Sequence, residues 1–161
     1  STMKHIIRIH LESKEDVIRD IEITATHNLE QLHYAIVDAF ELEKNEMASF
    51  YMTNDEFELL QEIPIFSIED KNNSMLGMNE IIISSVFRSE GNQLLYVYDF
   101  LNMWRFLITF HASSENTVDE TICINKIGKM PKEAPEITFE AEKEFDPFEE
   151  AFDEFNEHEE Y

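Results

Sequence analysis

The chain has 161 residues, 43% hydrophobic and 12% aromatic, enough for one domain with a real core, and its three glycines and four prolines exclude a chain that is low-complexity throughout. A formal net charge of −23 opposes direct contact with nucleic-acid phosphate or a membrane surface and favours basic partners. One cysteine, Cys123, excludes an intrachain disulfide and a multi-cysteine zinc site, and no apolar run approaches the roughly 20 residues that span a bilayer.

No basic start followed by an apolar stretch marks a secretory signal, so the reading is a cytoplasmic protein. Ser1-Thr2 reads as a scar ahead of a natural start at Met3. From His5 to Glu12 the residues alternate, with Ile7, Ile9 and Leu11 in one phase, and Val17 to Thr24 alternate again around Ile21 and Ile23. The polar link Ser13-Lys14-Glu15-Asp16 joins them as a hairpin. Asn28 and Gln31 then form a capping-box pattern, and Leu29, Leu32, Ile36, Ala39 and Phe40 recur at helical spacing, which predicts a helix over 29–42.

A strand follows over 48–53, a turn at Asn54-Asp55-Glu56, and a returning strand over 57–61, with Pro64 interrupting what comes next. Lys71-Asn72-Asn73-Ser74 reads as a loop. Residues 81–87 fit a buried strand or a short helix equally well. After the turn Glu90-Gly91-Asn92 comes "LLYVYDFLNMWRFLITF". Leu94, Tyr96, Tyr98 and Phe100 lie in one phase and Trp104, Phe106, Ile108 and Phe110 in another, which predicts a hairpin with an aromatic face and a connection at Leu101-Asn102-Met103. Leu95, Val97 and Leu107 on its other face argue for a central pair covered on both sides. Past residue 125 Gly128, Pro131 and Pro135 mark a linker over 126–137, separating a domain over 4–125 from an acidic, Phe-rich segment over 138–161. Residues 133–161 hold 13 acidic side chains and one lysine, so this end is far more acidic than the body.

Two stretches together resemble the plasmid ORF-three-like family, named for an open reading frame on an Ri plasmid and met also as a passenger of insertion sequences. In "NLEQLHYAIVDAF", Leu29, Leu32, His33, Ile36, Ala39 and Phe40 match that family's TLxxLHxxIxxAF. At the hairpin, Tyr96, Tyr98, Asp99, Phe100, Trp104 and Ile108 match YxYDFGDxWxHxI. The resemblance covers residues 4–112. It implies an α+β domain, a mixed and mainly antiparallel sheet with one main helix packed on it, in a bacterial mobile-element setting, and it implies no reaction. Two departures stand out. The family's Gly-Asp at the bend is Leu101-Asn102 here, and its His-x-His-Glu-Phe falls on Glu46-Met47-Ala48-Ser49-Phe50, without either histidine. A glycine would permit a positive φ that leucine tolerates poorly. An acid–base or metal site built on those histidines would be lost in this chain.

His5, His10, His27, His33, His111 and His158 form no HxH, HxxxH or HExxH unit. Only His10 and His111 meeting across a sheet could start a metal site, and no metal or cofactor is expected. His33 reads first as a polar residue at the core edge and second as a base. Asp99 reads first as an acceptor for the amides of the bend and second as a general acid or base. An enzyme would need a pocket joining Asp99 to a histidine, whereas a solid aromatic core would argue against one. Cys123 reads as a small buried hydrophobe.

The acidic end gives the stronger functional pattern. Asp146, Pro147 and Glu149 mark a helix start, so the segment is expected to be helical from 147, and Phe145, Phe148, Phe152 and Phe155 share one face opposite a nearly all-acidic one. That stripe needs cover: the chain's own body, a dimer mate, or a groove on another protein. The functional expectation is a protein-interaction domain, leaning away from an enzyme, that uses its acidic surface and these phenylalanines on a basic protein partner. The alternatives are an enzyme of unknown reaction with a site around Asp99 and His33, and an acidic nucleic-acid mimic that engages a basic DNA-handling protein; the chain is expected as a monomer or weak homodimer.

Overall fold

A computed structural model describes residues 2–116 and 118–136 of the chain. The architecture is α+β: one large sheet with the main helix packed on a single face. The sheet has seven strands in the order β4-β3-β7-β8-β1-β2-β9. Its six pairings are all antiparallel, so among the described residues the sheet is not mixed as expected.

The first hairpin forms as the alternation predicts. β1 (Thr2–Leu11) pairs with β2 (Ile18–Thr24), and Ile7, Ile9, Leu11, Ile21 and Ile23 all turn into the core. The other face of this pair is charged. Arg8 donates to both oxygens of Asp20, at 2.9 and 3.0 Å. Burial alone would raise the Asp20 pKa, but the hydrogen bonds from Arg8 and Asn125 outweigh it and hold the carboxyl low.

α1 (Leu29–Ala39) starts at the reciprocal capping box: the Gln31 amide donates to the Asn28 side chain, and the Asn28 amide to the Gln31 side chain, each at 2.9 Å. Such a cap is worth about 1 kcal/mol. Leu29, Leu32, Ile36 and Val37 bury its apolar face, at about 1.5–3 kcal/mol for each fully buried side chain. The helix stops three residues short of Leu42. Glu41 swings to φ 53° and the Leu42 amide folds back to the Val37 carbonyl at 3.0 Å, a Schellman-type ending that the apolar spacing could not reveal.

β3 (Ala48–Thr53) pairs with β4 (Leu59–Pro64), which lies two to three residues later than predicted. Asn54 accepts the amides of Glu56 and Glu58 on its side-chain oxygen, which extends the turn through Phe57 at φ 59°. Pro64 ends the strand opposite Ser49; β4 is an edge strand, where a missing N–H is tolerated. The predicted loop at 71–74 is the tip of a small hairpin, β5 (Ile68–Glu69) with β6 (Ser74–Met75). A 3-10 turn over Met78–Glu80 and a short helix, α2 (Ile83–Val86), follow, which settles the ambiguous 81–87 stretch.

β7 (Gln93–Tyr98) and β8 (Trp104–Asn116) form the predicted aromatic hairpin, and β8 is the middle strand of the seven. β9 (Ile122–Ile127) closes the other edge. Cys123, expected inside, is exposed there: it sits opposite Ile21 on an edge strand, in an open groove beside Tyr34 and Ala35 of α1. Gly128 follows at φ 76°, pressed against the Asp16 carbonyl so closely that a side chain would collide with it. Met130 then packs on the edge of the core. No helix among the described residues is long and apolar enough to cross a membrane.

Candidate functional site

The stem of the β7–β8 hairpin is closed by rings. Tyr98 faces Trp104, Tyr96 faces Phe106 and Leu94 faces Ile108. Tyr96 also lies 4.8 Å from Phe50, and Phe106 4.7 Å from Phe40, between ring centroids. His33 extends from α1 into this cluster, 4% exposed, with the rings of Tyr34, Tyr96 and Tyr98 around it. Its Nδ1 and the Tyr96 hydroxyl share a 2.6 Å hydrogen bond, the proton's side depending on the imidazole tautomer. Burial lowers the His33 pKa to about 4 and pushes Tyr96 well up, so both are neutral at pH 7. The pair joins helix to sheet across the aromatic cluster.

Asp99 has other partners. It sits at φ 61°, a left-handed conformation that aspartate tolerates better than most residues. Its Oδ1 accepts the amides of Leu101 and Asn102 at 3.1 and 3.3 Å, and its Oδ2 accepts the Asn102 side-chain amide at 2.6 Å. The Asn102 side chain is the main reason the Asp99 carboxyl lies below its usual range. The Met103 amide donates to the Asp99 carbonyl at 2.6 Å, and the Asp99 amide to the Met47 carbonyl at 2.8 Å. The bend therefore spans five residues, 99–103, not three. Its positive φ angles fall on Asp99 and Met103, not on Leu101. That answers the missing glycine: this bend asks nothing unusual of the backbone at 101. The asparagine at 102 supplies an N–H donor that the family's aspartate would lack.

Phe100, expected in the aromatic phase, leaves the strand and is exposed. Around it lies a surface that the residue pattern did not announce. Leu101 is 90% exposed, and Met47, Phe66 and Met103 are exposed as well. Register places them together. Ala48 pairs with Tyr98, Tyr98 with Trp104 and Ser49 with Pro64, so Met47, Phe66 and the bend all emerge at one end of the sheet. The Tyr98 hydroxyl is buried at this end without a well-formed hydrogen bond. Burial raises its pKa first; the Glu46 backbone N–H opposes this, and the charges of Glu46, Asp99 and Glu43 add to it. The one sequence signal for this surface was a leucine at a bend, where polar residues and glycine predominate.

His33 and Asp99 are thus committed to separate partners, and neither lines the open groove at Met52–Arg88–Gln93 or the one at Tyr34–Cys123. His10 pairs with Asp16 at 3.2 Å and sits opposite Leu107, four residues along β8 from the exposed His111, so the two histidines do not meet across the sheet. Among the described residues no three His, Cys, Asp or Glu side chains are grouped to hold a metal ion. Phe145, Phe148, Phe152 and Phe155 lie outside the described residues.

With the hairpin and helix motifs on one fold, the comparison with known proteins becomes specific. The sequence profile of the plasmid pRiA4b ORF-3-like proteins matches residues 4–161. The chain belongs to the plasmid pRiA4b ORF-3-like family. The match runs well past residue 112 and takes in β9 and the acidic end of this ORF-3-like chain. A solved structure, that of the protein of unknown function MM3350 from Methanosarcina mazei Go1, is similar in fold: TM-score 0.63 at 18% identity, over 78% of this chain and 69% of that one. No curated protein matches the chain.

Proposed function

We propose that this ORF-3-like chain is a protein-interaction domain of the cytoplasm and not an enzyme, with the tip of the β7–β8 hairpin as its contact surface. The observation that carries the reading is Leu101, 90% exposed on a bend held by the Asp99 hydrogen bonds. A leucine there adds little to the fold. Buried against a partner, apolar surface contributes about 25 cal/mol per Å², and an ordered bend has little conformational freedom left to lose on binding. Met47, Phe66, Phe100 and Met103 widen the apolar patch. Glu43 and Glu46, beside the Tyr98 hydroxyl, put acid at its margin, which selects a partner whose apolar pocket is ringed by lysine or arginine. The enclosed, neutral His33–Tyr96 pair supports this reading over catalysis.

The test compares immobilised full-length protein with its Leu101→Ser/Phe66→Ser variant in capture from cell lysate. The expected result is a protein recovered by the unaltered chain, retained through a high-salt wash and lost by the variant. Equal recovery by both chains overturns the tip as contact surface. Loss of the bound protein at high salt alone, with the variant still active, points instead to an electrostatic, nucleic-acid-like surface.

A further inference from the structure

The two edges of the sheet are finished differently. β4 ends in Pro64, which has no N–H to offer, and it carries Glu62 and follows Glu56 and Glu58. β9 has neither device: Ile122–Ile127 contains no proline and no acid. Its ladder partner is β2, and among the described residues no backbone hydrogen bond leaves its outer side. A strand edge of this kind is a template for one more strand.

This edge is held firmly and has a groove beside it. The buried Arg19 guanidinium donates to the carbonyls of Ile18 and Ile127, each at 2.8 Å, and to that of Ala39 at 3.1 Å. It thereby ties the end of β9 to the end of α1. On the other face Asn125 donates to Asp20 at 3.0 Å, and Lys4 donates to the Glu120 carbonyl just before the strand at 2.6 Å. Between α1 and β9 runs an open groove of about 370 Å³. The buried Ile21 lies at its base, Tyr34, Ala35 and Asp38 on the helix side, and Thr121 and Cys123 on the strand side. Charge marks one end. Residues 121–132 hold no acid and three lysines, Lys126, Lys129 and Lys132, in a chain with only 12 lysines and arginines. All three are exposed, and none is ion-paired among the described residues. One lysine is the usual guard on an edge strand; three together make a basic strip.

We propose that β9 is a strand-addition site for an extended, acidic segment of another protein. The guest backbone pairs with the outer side of β9 as an eighth strand, and alternate side chains drop into the Tyr34–Cys123 groove. Asp38 repels a carboxylate there, so the groove takes uncharged side chains, and the acids of the guest lie against Lys126, Lys129 and Lys132. Because Arg19 and Asn125 already hold the edge, little order has to be gained on binding. The site lies three strands from β8 and selects the opposite charge from the hairpin tip, so either surface can fail without the other.

The test uses full-length protein and a synthetic peptide that alternates threonine and valine between glutamate runs; the same peptide with lysine runs is the control. Two readouts are followed: hydrogen exchange at the outward amides of 122–127, and the rate at which iodoacetamide alkylates Cys123, the chain's one cysteine. The glutamate peptide should slow both by about tenfold and the lysine peptide neither. Lys126→Glu/Lys129→Glu/Lys132→Glu should raise the Kd of the glutamate peptide by about tenfold or more. Should that variant fail to fold, added salt should weaken binding to the unaltered protein in the same direction. No slowing with either peptide, equal slowing with both, or binding indifferent to charge reversal and salt overturns the proposal. So does an edge whose outward amides and Cys123 are already protected in the protein alone, which would assign it to the chain's own residues or to a second copy.

Discussion

The stem and the tip of the β7–β8 hairpin are neighbours in sequence and opposites in environment. In the stem, Tyr96, Tyr98 and Phe106 are buried among other rings and His33 is enclosed with them. Two to five residues past Tyr98, Phe100, Leu101 and Met103 stand in solvent. Aromatic and aliphatic character is the same on both sides of Tyr98, so composition cannot separate a core from a surface. The change occurs where the strand ends and Asp99 turns the chain.

The contrast can be broken most strongly in the stem. Tyr96→Ala removes a fully buried ring and the partner of His33, and it should cost about 3–5 kcal/mol in denaturant unfolding. A loss below about 1 kcal/mol would show that the cluster is loosely packed. Next comes acidification. Above pH ~6.5 His33 is neutral in both folded and unfolded chains and adds no pH dependence. Between pH 6.5 and 4 the unfolded chain takes up a proton that the fold refuses, because burial lowers the folded pKa to about 4. Stability should therefore fall across that window by up to about 3 kcal/mol, with no further loss from this group below it. His33→Gln should flatten the slope of stability against pH there; an unchanged slope would mean that His33 is not the group responsible.

At the junction, Asp99→Ala removes the acceptor for two bend amides and puts alanine at φ 61°, for an expected cost of about 1–2 kcal/mol. Asp99→Asn should cost less, since asparagine keeps an acceptor oxygen and the same backbone tolerance. Equal losses for the two variants would make the charge, not the bend, the important feature. The smallest effect belongs to the tip. Leu101→Gly should change stability by less than about 0.5 kcal/mol, as exposed positions do, while abolishing partner capture. A large stability loss would mean that Leu101 belongs to the fold.

Much of the fold was legible because alternation and capping are local. Ile7, Ile9 and Leu11, the Asn28–Gln31 box and the Tyr96/Phe106 phases each declare themselves within a few residues. What stayed hidden depends on backbone angles or on distant neighbours. The five-residue bend rests on positive φ at Asp99 and Met103, and the late start of β4 on Asn54 holding two amides. Cys123 looked like a core residue until its strand proved to be an edge. The patch at the tip joins Met47 and Phe66 to Leu101 by sheet register, which no single stretch of sequence contains.

The pairing of β1 with β8 has a consequence for how the molecule assembles. It runs from Thr2–Asn116 to Leu11–Phe106 with one register shift between Ile6 and Ile7, so roughly a hundred residues separate the partners at the centre of the sheet. Closing so long a loop is entropically costly, and sheets dominated by such contacts fold slowly. Until β8 arrives, the β1–β2 hairpin presents an unpaired apolar edge, the template on which chains stick to one another. A chain that carries 23 excess negative charges repels its own copies throughout that interval. By that electrostatic repulsion the acidity opposes self-association while the sheet is still incomplete.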